Sequence, residues 1–193
     1  RNGYCDIGNL QSDYLQLRSS IMCETKKLLP LLGSFPEVIA GASQAFCLEF
    51  NDFPSQIRFG NGNNSPGDVI YTEANVPVSV ENFFFNAAGE SFFGFAMFTT
   101  DNSGNRAIKL GNINFRFDFS NLGFQVDEVS FEIGDFGGFE NIGANGSITV
   151  GEIQNNFGGQ TVAPGIDFSF NQQTGTRGTA TLRGNMSEAI IGG

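Results

Sequence analysis

The chain has 193 residues, 40% of them hydrophobic, with 26 Gly, 22 Phe, 3 Tyr, no Trp and no His, and its formal net charge is −10. That length suits one large domain or one domain with a small appendage, and ten scattered Lys and Arg exclude a nucleic-acid or anionic-membrane partner, which needs a basic stripe. No apolar run approaches the roughly 18 residues that a membrane-spanning helix requires, and Phe, which has no polar handle, is expected to build most of the core.

Residues 1–44 form the first region. The chain starts at Arg1 without Met, as expected of a processed or excised chain. Ile7, Leu10, Tyr14, Leu17, Ile21, Leu28 and Leu31 follow a three-four spacing that predicts an amphipathic helix. Asn9 or Ser12 would cap its start, and Pro30 with Gly33 would end it. Leu10, Leu17 and Leu28 would then pack on a sandwich or on a neighbouring subunit. A competing reading makes "DYLQLRSSIMC" a strand. Cys5, Cys23 and Cys47 are the disulfide candidates, and their odd number leaves one thiol over. A helix over 7–29 would separate Cys5 from Cys23 by roughly 25 Å, so Cys47 would be one partner of any bridge. Without His or a CxxC spacing, a zinc site is not expected.

Residues 45–193 are strand-like throughout. Val76, Val78 and Val80 alternate with polar or small residues. In "VENFFFNAAGESFFGFAMF" Phe falls on both faces: Phe83 and Phe85 on one and Phe84 on the other, then Phe93 and Phe95 against Phe92 and Phe98. A strand that is apolar on both faces is covered on both, so Phe84, Phe92 and Phe98 are candidates for a packing or assembly surface. "INFRFDFSNLGFQVDEVSFEI" predicts a hairpin of strands at about 113–120 and 125–133 with a turn at Asn121–Gly123. Its core face would carry Phe115, Phe117, Phe119, Val129, Phe131 and Ile133. "GDFGGFENIGANG" offers Asp135, Glu140 and Asn141 as oxygen ligands for Ca²⁺, although Asp, Asn and Gly are also ordinary turn residues. Asn61, Asn63 and Asp68 are a lesser set. Ile166, Phe168 and Phe170 alternate again, and Glu188–Ile191 is a last short apolar segment before Gly192-Gly193. About eight to ten antiparallel strands separated by Gly/Asn-rich turns predict a mainly β fold, a two-sheet jelly-roll-like sandwich with an N-terminal helical segment.

The segments "SPGDVIYTE", "INFRFDFSNLGFQVDEVSFEIGDFGGFENIGANG" and "AIIGG" together resemble a group of uncharacterised secreted bacterial β-sandwich proteins. Several of these carry a PEP-CTERM type sorting signal. The resemblance covers roughly residues 45–193 and implies secretion and a sandwich, with no catalytic residue to carry over. No sorting signal follows "AIIGG", where the group usually continues into another apolar strand. A sandwich lacking its last strand is therefore open, with an unpaired edge for a strand from another subunit.

Without His, a Ser-His-Asp or Cys-His arrangement cannot form within this chain. A glycoside hydrolase would need paired carboxylates about 5–9 Å apart. Glu128 and Glu132 share a strand face, with Asp118 the nearest third carboxylate, but they are separated by Ser130 and sit roughly 13 Å apart along the strand. The expectation is therefore no enzyme. A non-enzymatic extracellular or cell-surface structural protein that self-associates in a layer or filament comes first. A carbohydrate-binding module contacting polysaccharide is second, weakened by the absence of Trp, and a jelly-roll glycoside hydrolase is third.

Overall fold

A computed structural model describes residues 15–24, 45–48, 50, 56–100, 106–134, 138–153, 161–175 and 177–193. The alternating segments become strands, because a residue pattern of period two can bury one face of a pleated sheet and wet the other. In chain order these are β1 (Leu15–Glu24), β2 (Ala45–Leu48), β3 (Arg58–Gly60), β4 (Val69–Glu73), β5 (Val76–Phe84), β6 (Ser91–Phe92), β7 (Phe95–Thr100) and β8 (Arg106–Gly111). They continue with β9 (Ile113–Asp118), β10 (Val126–Gly134), β11 (Glu140–Ala144), β12 (Ser147–Gly151), β13 (Asp167–Thr174), β14 (Arg177–Met186) and β15 (Glu188–Gly192).

All pairings are antiparallel. Sheet A has the order β13-β14-β10-β1-β8-β7-β3, with β2 also on β1. Sheet B has the order β12-β11-β15-β9-β5-β4, with β6 on β5. One hydrophobic cluster draws on both sheets: Val78, Val80, Phe115, Phe117, Ala189 and Ile191 from sheet B, and Phe98, Ile108, Val129, Phe131 and Leu182 from sheet A. Phe50 joins them, its ring centroid 5.7 Å from Phe98 and 6.5 Å from Phe117. Stacked sheets and a shared core make a β-sandwich-like fold. No helix among the described residues is long and apolar enough to cross a membrane.

Several expectations change. The helix does not form over residues 15–24, which are strand β1 in the middle of sheet A. Leu15 and Leu17 alternate with Gln16 and Arg18, a period-two signal that the longer three-four spacing obscured. Sheet A decides between the two readings: β10 lies along one side of β1, and β8 and β2 share the other. Leu17 is thus a strand residue, opposite Ile133 and Ile108, while Leu10, Leu28 and Cys5 lie outside the described residues. Cys23 stands opposite Phe46, and Cys47 opposite Met22, so the register does not oppose the two cysteines.

The expected hairpin at 113–133 is not one. Its two strands form nearly where expected, and its six apolar residues are buried, but β9 belongs to sheet B and β10 to sheet A. Residues 119–125 therefore cross between sheets. Six connections, β1–β2, β4–β5, β5–β6, β7–β8, β11–β12 and β13–β14, join neighbours within a sheet. A jelly roll sends most successive strands to the opposite sheet, so its connectivity does not describe this chain. The segment "AIIGG" is not an open edge either: β15 is interior to sheet B, paired with β11 on one side and β9 on the other.

Candidate functional site

The outer face of sheet B carries a groove, and its construction begins at the turns. Asn145-Gly146 closes the β11–β12 hairpin as a two-residue loop between Ala144 and Ser147. Both residues have positive φ, 52° and 80°, the conformation of a type I′ turn. The Asn145 amide docks this turn on the β14–β15 corner. Its Nδ2 donates to the Asn185 carbonyl at 2.8 Å, and its Oδ1 accepts the Ser187 N–H at 2.8 Å and the Ser187 hydroxyl at 3.1 Å. The Gly146 N–H donates to Glu188 Oε1 at 2.7 Å. Arg116 on β9 forms a hydrogen-bonded ion pair with Glu188 Oε2. Both carboxylate oxygens of this buried Glu188 are thereby engaged, as burial of a charge requires.

The opposite wall is the β5–β6 hairpin. β5 pairs with β9 as far as Asn82, then leaves it to pair with β6. Phe84 has no β9 partner, and its backbone is satisfied by a side chain instead. Asn141 Oδ1 accepts the Phe84 N–H at 2.7 Å, and Asn141 Nδ2 donates to the Phe84 carbonyl at 2.8 Å. Asn141 is fully buried, and its amide replaces one rung of a ladder. Asn114 lies beside it. Its Nδ2 donates to the Asn82 carbonyl at 2.7 Å and to Asn141 Oδ1 at 3.1 Å. Asn114 Oδ1 has no hydrogen-bond partner and rests against Gly192, where an added Cβ would come within 1.7 Å of it.

Between these walls run two adjoining depressions of about 370 and 320 Å³ that share Phe84, Gly146 and Ile148. The first is flanked by the Asn86–Gly89 turn and β12, and the second is bounded by Glu81, Asn82, Arg116 and Ile190. Of the expected surface residues, Phe84 is half-buried in this groove and Phe92 is exposed. Phe98 is not a surface residue: it is buried in the core against Phe50 and Phe59.

Two of the expected calcium ligands, Glu140 and Asn141, are engaged within the fold. Asp135 lies outside the described residues. Glu140 and Asn141 are consecutive on β11, where the pleat sends them to opposite faces. Glu140 accepts the Ile153 N–H at 2.9 Å, while Asn141 holds Phe84. Among the described residues, no group of three or more His, Cys, Asp or Glu is placed to hold a metal ion.

The carboxylates weighed for acid–base chemistry are also dispersed. Asp118 ends β9 in sheet B, whereas Glu128 and Glu132 lie on β10 in sheet A. Glu128 pairs with Arg183 at 2.8 Å. Hydrogen bonds from the Ser120 hydroxyl and N–H hold the Asp118 carboxyl below the usual range, with a smaller contribution from Arg116 and against the effect of burial. Sequence reasoning did not assemble the groove. Asn145-Gly146 is a local turn signal and Arg116 is the one cation in "INFRFDFS", but no local pattern links either to Glu188, which lies 72 positions from Arg116. No protein-family model, curated protein or solved structure matches the chain.

Proposed function

We propose that this chain is a non-enzymatic structural protein of the cell exterior that associates with copies of itself through the outer edge of sheet A. The observation that carries the proposal is β13. It is eight residues long and pairs with β14 on one side, and no described strand pairs with its other side. Its sequence, "DFSFNQQT", contains no Pro and no Lys. Proteins that stay monomeric usually blunt such an edge with charge, Pro, a bulge or brevity; in β13 the one charged residue is Asp167 at its start, and the register shift between Gln172 and Thr174 falls at its far end, leaving the stretch between them regular. β13 is also self-compatible. An antiparallel pairing of two copies centred on Phe170 sets Asp167 opposite Gln173 and Ser169 opposite Asn171, so no like charges meet.

The extracellular part of the reading rests on the resemblance to secreted sandwich proteins. The non-catalytic part rests on the absence of His and on carboxylates engaged in holding the fold, namely Glu140, Glu188 and Glu128. Analytical ultracentrifugation at micromolar concentration tests the assembly. The wild type should sediment as an oligomer. The double variant Ser169→Lys/Asn171→Lys should sediment as a monomer with an unchanged melting temperature, because it places cations on the edge without touching the core. A monomeric wild type, or an oligomer that the two lysines leave intact, would sink the proposal.

A further inference from the structure

We propose that the groove on the outer face of sheet B binds a neutral polysaccharide chain. The inference rests on the extracellular part of the reading above, and it does not require self-association. Its first support is shape. The two depressions adjoin along one face and share Phe84, Gly146 and Ile148, giving an elongated, open run rather than a closed pocket. A linear polymer can enter and leave such a groove at both ends.

The second support is chemistry. Phe84, Ile148 and Ile190 give an apolar lining of the kind that packs on the C–H faces of sugar rings. Arg116 and Glu188 largely neutralise each other. Glu81 adds a carboxylate acceptor, loosely held by the Ser79 hydroxyl at 3.4 Å. Hydroxyl groups donate hydrogen bonds, so they suit this carboxylate. An anionic polymer would meet Glu81 and a chain of net charge −10.

The third support is preorganisation. The Asn145 latch and the Gly146–Glu188 bond fix one wall, and Asn141 fixes the backbone of Phe84 on the other. A groove held this way loses little freedom on binding.

Affinity electrophoresis of the purified protein in native gels tests the proposal, with a mixed-linkage β-glucan, a galactomannan and a dextran as the neutral polymers and heparin as the anionic comparison. At least one neutral polymer should retard the wild type. Phe84→Ala and Glu81→Ala should each weaken that retardation by about tenfold in affinity, with Glu81→Ala, which removes no ring, keeping the wild-type melting temperature. Val69→Ser, at the exposed outer strand β4, should bind like the wild type. Retardation by none of the neutral polymers, retardation by heparin alone, or retardation that Glu81→Ala leaves unchanged would each overturn the proposal. Ultracentrifugation reads self-association separately, so failure of one reading does not mimic failure of the other.

Discussion

Asp118 shows how one side chain ties local geometry to pH. It ends β9, accepts the Ser120 N–H at 2.9 Å, and so shapes the chain where it leaves sheet B for sheet A. Because these bonds favour the charged form, its folded pKa lies below the unfolded value of about 3.9. A carboxyl of that kind stabilises the fold at higher pH. The contribution is complete above the unfolded pKa and disappears as pH falls through the folded one. Asp118→Asn keeps an acceptor for Ser120 but removes the charge. Melting temperatures of wild type and variant should therefore differ most near neutral pH and converge as pH falls through the folded pKa. A gap that stays constant across that range would show that the charge plays no part.

At the scale of elements, legibility followed the reach of the interactions. Val76, Val78 and Val80, and Ile113, Phe115 and Phe117, were read correctly as strand faces because a pleat is a local pattern. Their burial is complete. The partners of those strands were not legible. The segment "SNLGFQ" looks like a hairpin turn, yet it carries the chain across the sandwich, and only long-range packing selects between the two. Likewise "LQLRSSIMCE" supports either period locally, and sheet A selects the strand. For the groove, the turn at Asn145-Gly146 was legible but the role of Asn141 was not. An Asn in a Gly-rich stretch looks like a turn residue or a cation ligand, whereas here it sits in β11 and completes the hydrogen bonding of β5. Asn141→Ala would orphan the N–H and C=O of Phe84 where β5 has left β9. It should cost about 2–3 kcal/mol, measured by urea denaturation, and should speed amide exchange at Phe84 in particular. A loss below about 0.5 kcal/mol, or unchanged exchange at Phe84, would mean that the amide rung is dispensable.

At the scale of the whole molecule, the controlling feature is that an early strand lies between later ones. Leu17 pairs with Ile133 and Leu15 with Leu110, so the middle of sheet A cannot close until the chain has been made well past its midpoint. Closing such long loops before any contact rewards them slows folding. Burying β1 between β10 and β8 then makes sheet A depend on it. The register shift between Leu17 and Ile21 falls where the neighbour on the other side changes from β8 to β2, so a single strand joins three others. Removing residues 1–24 would leave β10 and β8 without the strand that links them and would expose their inner edges to other chains. The truncated protein should lose its cooperative thermal transition and aggregate. Had these residues formed a helix laid over a finished sandwich, the remainder would melt cooperatively at a somewhat lower temperature. Differential scanning calorimetry of the truncated chain separates the two, and a single sharp transition would refute a central role for β1.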